Sequence, residues 1–107
     1  MITLQHKVAV YVPSTSNTNE SATSLQADMI ERVAREFSAN YGGCTAESVT
    51  GYWLSDSVGL VKETPVRVWA HCAEYNVTDI VSLAERLKAD MAQEAILIEL
   101  DGVGSLV

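Results

Sequence analysis

Two predicted strands carry charged and aromatic side chains at alternate positions. Residues 6–12 alternate in this way, and so does the second half of residues 60–72. Side chains two residues apart along a strand lie on the same side of the sheet. The residues that share one side and could bind a ligand are Lys7, Tyr11, Arg67, Trp69 and His71. An aromatic ring beside a guanidinium and an imidazole can hold a planar anionic ligand by stacking and by charge-assisted hydrogen bonds.

This pattern predicts a binding site for a small nucleotide. The predicted ligand-binding residues are Tyr11, Arg67, Trp69 and His71. One aromatic ring would stack on the base, Arg67 would take the phosphate, and His71 would supply a hydrogen-bond donor. The alternative is that both rings pack in a dimer or trimer, with Arg67 paired to Glu47 or Glu99.

The two cysteines could come close to a histidine, which would allow a nucleophilic thiol or a metal site. A catalytic thiolate needs a base and an oxyanion site, and no third orienting residue accompanies Cys44, His71 and Cys72. Cys72 is expected to point inward as a small apolar side chain. A metal would need a fourth ligand and a recognisable spacing. We therefore predict no catalytic residue, no metal, no cofactor and no enzymatic activity.

Four strands and two helices are expected to position these residues. The predicted strands are residues 6–12, 44–54, 60–72 and 95–100. Apolar residues that recur every three or four positions predict two amphipathic helices, the first ending at Gly42 and the second beginning at Val77. Turn residues at 55–59 join the second and third strands in a hairpin. Asp101 and Gly102 are expected to end the fourth strand.

The order βαββαβ predicts an α+β domain over residues 1–107 with a ferredoxin-like fold. Such a domain has a four-stranded antiparallel sheet with both helices on one face. The alternative is another α+β sandwich with a different strand order. We call the side without helices the open face. By alternation it carries Lys7, Ala9, Tyr11, Arg67, Trp69, His71, Ala95, Leu97 and Glu99.

The open face predicts that the chain is a homo-oligomer. Tyr11, Trp69 and Leu97 would form an apolar patch that soluble monomers rarely leave exposed. Tyr52 and Trp53 lie near the tip of the hairpin, and one of them must point away from the core. An exposed aromatic side chain there favours contact with a partner, although it could instead fold back over the second helix. The predicted contact residues are Tyr52, Trp53 and Leu97.

Composition limits the remaining function classes. The 107 residues include 7 Lys and Arg against 14 Asp and Glu, so the net charge is −7. A chain with this excess of negative charge repels a phosphate backbone, so we predict no direct nucleic-acid binding. No apolar run approaches the roughly 18 residues that a membrane span needs. The first residues lack the features of a signal peptide, so a cytoplasmic location is expected.

Several segments resemble small uncharacterised proteins carried by bacteriophages and other mobile elements. The segments are KVAVYVPST, YGGCTA, GYW, LVKE and QEAILIELDG. The resemblance implies no assigned activity, but proteins of that setting often counter host defence. The leading prediction is therefore a non-catalytic, homo-oligomeric binding protein that sequesters a nucleotide-type signal at a subunit interface. The alternatives are an acidic inhibitor that mimics nucleic acid to occupy a host defence protein, and a dimeric α+β barrel enzyme.

Overall fold

The first strand lies at the centre of an antiparallel sheet. The computed structural model describes residues 1–14 and 23–107, so most of the polar segment 13–24 lies outside the described residues. In chain order the described elements are β1 (His6–Val12), α1 (Thr23–Tyr41), β2 (Thr45–Ser48), β3 (Gly51–Ser55), β4 (Gly59–Glu63), β5 (Val66–Cys72), α2 (Val77–Asp90), β6 (Leu97–Leu100) and β7 (Val103–Leu106). The described strands form a sheet in the order β2-β5-β1-β6-β7 and a separate pair, β3-β4.

The predicted α+β class with two helices is confirmed, but the prediction of four strands is wrong. The long strands predicted at 44–54 and 60–72 each divide in two. Pro65 lies at the division between β4 and β5, and its carbonyl accepts a hydrogen bond of 3.0 Å from the backbone of Val49. Because proline has no backbone N–H to donate, it interrupts the ladder. The residues before Pro65 lie outside the main sheet as the β3-β4 hairpin, which we call the arm.

A fifth strand, β7, joins the sheet through a tight turn at Asp101 and Gly102, which were expected only to end the fourth strand. Asp101 and Gly102 have φ angles of 54° and 82°. Two successive positive φ angles form the two-residue turn whose twist matches a β-hairpin, and Asp-Gly is a favoured pair for it. Leu100 therefore lies opposite Val103, and β7 continues the sheet on the far side of β6.

Strand alternation places the core between the sheet and both helices, as predicted. The sheet side of this core contains Val8, Val10, Val12, Val68, Ala70, Cys72 and Ile98, and the helix side contains Met29, Val33, Phe37, Ile80, Leu83, Ala84 and Leu87. The inward position of Cys72 is thus confirmed. The helices also end and begin where expected. Gly42 has a φ of 88° after α1, and Asn76 caps α2 by accepting from the backbone of Thr78 at 2.9 Å. In the described part of the chain, neither helix is long and apolar enough to cross a membrane.

Candidate functional site

Strand register brings the four predicted ligand-binding residues onto the open face. Tyr11 on β1 lies opposite Arg67 on β5, and Lys7 lies opposite His71 in the same pair of strands. Trp69 is two residues from Arg67 along β5, so both side chains lie on one side of the sheet. The remaining strands add acidic side chains to this side, because β2 places Glu47 opposite Arg67 and β6 places Glu99 opposite Ala9.

Arg67 is the centre of a network that spans four strands. Its Nη2 donates to the Oε2 of Glu99 at 2.8 Å, and its Nη1 donates to the Oε1 of Glu47 at 3.2 Å. The hydroxyl of Tyr11 donates to the other carboxylate oxygen of Glu99 at 2.5 Å. The side chains of Arg67 and Glu99 are 14% and 22% exposed, whereas that of Glu47 is 49% exposed. The network therefore has a sheltered half, at Glu99, and a solvent-facing half, at Glu47.

These contacts fix the charge states of the sheltered half. Hydrogen bonds from Arg67 and then from Tyr11 lower the pKa of Glu99 below its usual value. Burial, followed by the hydrogen bond to Glu99, raises the pKa of Tyr11. The hydrogen bond to Glu99 likewise raises the pKa of Arg67. At neutral pH the site thus holds a carboxylate, a guanidinium and a protonated phenol.

The two aromatic rings of the open face flank positive charge. The guanidinium carbon of Arg67 lies 5.9 Å from the ring centres of both Tyr11 and Trp69. The Nζ of Lys7 lies 4.2 Å from the centre of the Trp69 ring, and His71 meets that ring edge-on at 5.3 Å. The distances from Arg67 and Lys7 fall within the range of cation–π attraction. Among the described residues, the indole Nε1 of Trp69 is buried and has no hydrogen-bond partner.

The sequence identified the open face and, in its packing alternative, the acidic partners of Arg67, but it did not assign those acids to the ligand site. Leu97 lies on the face with the four predicted ligand residues, whereas Tyr52 and Trp53 lie away from it on the arm, where they are 60% and 43% exposed. Both acidic pairings of Arg67 that the packing alternative proposed are present. Glu99 was not included among the ligand residues. The available signal was the strand register, which places Glu99 two positions from Leu97 on the same face as Tyr11.

The cysteine and histidine cluster considered from the sequence does not form. Cys72 lies in the core, and His71 is exposed on the opposite side of the sheet. The thiol of Cys44 contacts the carbonyl of Ala34 at 3.8 Å instead. Within the described ranges, no three His, Cys, Asp or Glu side chains are arranged to hold a metal ion.

A second polar cluster supports the β6-β7 turn. The Asp101 carboxylate accepts from the backbone of Lys7 at 2.9 Å and from the Tyr75 hydroxyl at 3.1 Å, and its Oδ2 lies 2.8 Å from the Nδ1 of His6. The Asp101 backbone donates in turn to the carbonyl of Lys7 at 2.8 Å. The hydrogen bond from the Lys7 backbone, followed by that from His6, lowers the pKa of Asp101. This cluster ties the turn to β1 and to the start of α2.

Comparison with known proteins identifies solved structures of the same fold. No family model matches the chain, and no curated protein matches it. A phage SAM lyase in complex with S-methyl-5′-thioadenosine is similar over 100% of this chain and 94% of its own, with a TM-score of 0.67 and 16% identity. A phage SAM lyase in the apo state is similar over 98% of this chain and 90% of its own, with a TM-score of 0.56 and 15% identity.

These matches correct the functional predictions from the sequence. The predictions of a non-catalytic binding protein and of no enzymatic activity are contradicted, because the solved proteins that share this fold are described as lyases. The phage source of both neighbours agrees with the resemblance to phage-borne proteins. The likeness extends over the whole chain and establishes the shared fold.

Proposed function

We propose that this chain is a SAM lyase and that the open face is its site of cleavage. The observation that carries the proposal is the similarity to a phage SAM lyase over the full length of this chain. S-methyl-5′-thioadenosine (MTA), which is bound in that neighbour, is what remains of SAM when the bond between sulfur and the aminobutyryl chain breaks. The sulfur keeps both electrons and becomes neutral. The carbon that loses sulfur must form a new bond within the fragment, because a lyase adds no water: either the fragment's own carboxylate oxygen bonds to it and closes a lactone, or the neighbouring carbon loses a proton and a double bond forms.

The charge arrangement of the open face suits this reaction. SAM enters with a positive sulfonium, and that charge disappears as the bond breaks. An enzyme accelerates a reaction only by binding the transition state more tightly than the substrate, so a net negative site would stabilise the sulfonium and slow its loss. The formal charges of Lys7, Arg67, Glu47 and Glu99 sum to zero, and hydrogen bonds from Arg67 and Tyr11 already occupy the Glu99 carboxylate.

The remaining side chains match the other parts of the substrate. Tyr11 and Trp69 supply rings on which an adenine can stack, because every nucleobase has a flat face that packs against an aromatic side chain. Arg67 presents a planar guanidinium, which binds a carboxylate such as that of the amino-acid end of SAM. His71 is exposed beside Trp69 and can donate or accept a hydrogen bond at the rim. The ligand-binding residues expected for a nucleotide therefore become the proposed residues for an adenosyl substrate.

The proposal is tested by identifying the products. Purified protein is incubated with SAM in heavy-oxygen water, and the products are analysed by mass spectrometry. We expect MTA together with an aminobutyryl-derived fragment that carries no heavy oxygen at the moment of release. Heavy oxygen in the first-formed fragment would instead indicate hydrolysis, and intact SAM after prolonged incubation would reject the proposal.

We also propose that the protein is a homo-oligomer in which a second copy covers the open face and the arm. Tyr52, Trp53, Leu54 and Leu60 are exposed large apolar side chains on the arm. Contiguous exposed apolar surface of this kind is typical of protein contact sites. An isolated two-stranded hairpin is also only marginally stable in water, so packing against a second copy would stabilise the arm.

A further inference from the structure

We infer that Glu47 occupies the position of a substrate carboxylate on Arg67 and is displaced when a carboxylate-bearing ligand binds. The inference rests on the proposed function, because it assigns the carboxylate at the amino-acid end of SAM to the Nη1 of Arg67. If this is correct, Glu47 determines how tightly the protein binds adenosyl compounds that carry a carboxylate, compared with MTA, which has none.

The two acidic partners of Arg67 are held very differently. Glu99 binds Nη2 at 2.8 Å, is 22% exposed, and also accepts from the Tyr11 hydroxyl. Glu47 binds Nη1 at 3.2 Å and is 49% exposed. It lies on β2, at the outer edge of the sheet, where every residue of the strand is exposed. Glu99 is therefore a fixed partner, whereas among the described residues Glu47 is held by a single, longer and solvent-facing contact.

Displacement of Glu47 costs little and leaves the rest of the network in place. The contact contributes little because the Glu47 side chain faces solvent, where water screens its attraction to Arg67 and the side chain must be held in one geometry. The freed Nη1 stays oriented because Glu99 and the flanking rings of Tyr11 and Trp69 hold the guanidinium. Arginine binds carboxylates through the planar fork of its donors. An incoming carboxylate thus takes the place of the Glu47 carboxylate on Arg67, and the guanidinium keeps two negatively charged partners.

Two stable nucleosides isolate the contribution of the carboxylate. S-adenosylhomocysteine and MTA are both uncharged at sulfur, and they differ because only the former carries the amino-acid group. Their affinities are measured by isothermal titration with the wild-type protein and with Glu47→Gln, which keeps the shape of the side chain and removes its charge. We expect Glu47→Gln to bind S-adenosylhomocysteine about two- to fivefold more tightly and to bind MTA with unchanged affinity.

Two further variants separate displacement from a general effect of charge. Glu47→Asp keeps the negative charge but withdraws it from Arg67, so displacement predicts that this variant resembles Glu47→Gln. Glu85→Gln makes the same charge change on the exposed side of α2 and should leave both affinities unchanged. Equal tightening toward both nucleosides, unchanged or weaker binding of S-adenosylhomocysteine to Glu47→Gln, or wild-type behaviour of Glu47→Asp would overturn the inference.

Failure of the lyase proposal can be distinguished from failure of the inference about Glu47. If neither nucleoside binds the wild-type protein and no MTA forms from SAM, the lyase proposal is wrong. The role of Glu47 is then tested with acetate as the probe, followed through the guanidinium NMR signals of Arg67. Glu47→Gln should respond at lower acetate concentrations than the wild type, and identical responses would contradict displacement.

Discussion

At the scale of single residues, the Glu99 carboxylate determines how the open face is organised. One of its oxygens accepts from Tyr11 and the other from Arg67, so a phenol and a guanidinium on neighbouring strands are held by one side chain. Glu99 is a positioning residue in this account, since it acts on substrate through the orientation of Arg67. Its removal should therefore affect both the pH dependence of stability and the activity.

Glu99 should make the stability of the fold pH-dependent. Hydrogen bonds from Arg67 and Tyr11 lower the pKa of Glu99 in the folded chain, so folding favours the ionised form. This contribution is complete above about pH 4.3, the pKa of an unperturbed Glu, and is lost as the pH falls through the lowered value. In urea unfolding, the stability difference between wild type and Glu99→Gln should shrink from about pH 7 to about pH 3. A difference that stays constant over this range would contradict the assignment.

The Tyr11 hydroxyl should contribute measurably to stability. Tyr11→Phe keeps the ring beside Arg67 and removes only the donor to Glu99. We expect a loss of about 1 kcal/mol in the free energy of unfolding, the usual contribution of one hydrogen bond. Tyr52→Phe is the matched control, because Tyr52 is 60% exposed, and it should change stability by less than about 0.5 kcal/mol. Equal effects of the two substitutions would mean that the short contact at Tyr11 carries no net energy.

At the scale of elements, alternation and helical periodicity were sufficient for the core but not for the strand ends. Val8, Val10 and Val12 lie in the core, as expected when β-branched residues at every second position specify one buried face. The break near Val49 was not predicted as a division between sheets, since the long segment keeps strand-forming residues on both sides of it. Whether such a segment remains in one sheet depends on the available partner strands, which are distant in sequence.

The β6-β7 turn is a local signal that could have been recognised. Asp101 and Gly102 have the composition of a two-residue hairpin loop, and the following Val103–Leu106 completes the pair. What the sequence could not show is that Asp101 also binds His6, the backbone of Lys7 and Tyr75. Those contacts join residues more than twenty positions apart, so they follow from the fold and not from the turn itself.

Replacing Gly102 should lower the stability of the fold, because its backbone is in the left-handed region that other residues adopt only with strain. Gly102 has a φ of 82°, and a Cβ added there would meet no atom within 4 Å. Gly102→Ala should therefore lower the free energy of unfolding through backbone strain alone, by about 1 kcal/mol. Gly43 also has open space around it but lacks a positive φ, and Gly43→Ala should be neutral or slightly stabilising. Thermal unfolding of the two variants compares them, and equal stabilities would exclude strain at the turn.

At the scale of the whole molecule, the arm and β7 expose large apolar side chains. The molecule measures 50 × 25 × 23 Å. Leu106 on β7 is exposed opposite Leu97, which adds apolar area beside the site. The exposed apolar area could not be estimated from the sequence, because it depends on where the arm separates from the main sheet, near Pro65.

The proposed assembly should depend on these apolar side chains. Light scattering at micromolar concentration should show more than one copy per particle. Combining Tyr52→Ser with Leu54→Ser should shift the protein toward monomer while its circular dichroism spectrum stays the same, because both side chains are exposed. A wild-type protein that is monomeric under these conditions would refute the proposed assembly, although a site contained within one copy could still act on SAM.

The most direct test of the central claim compares MTA release from SAM by the wild type, Glu99→Gln and Glu85→Gln. If the open face cleaves SAM, loss of the Glu99 carboxylate releases Arg67 from its fixed position, and displacing a binding group by about an ångström can cost up to about a hundredfold in rate. We expect kcat/KM to fall at least about tenfold in Glu99→Gln and to remain at the wild-type value in Glu85→Gln. Wild-type cleavage by Glu99→Gln, or the absence of MTA with the wild-type protein, would contradict the claim.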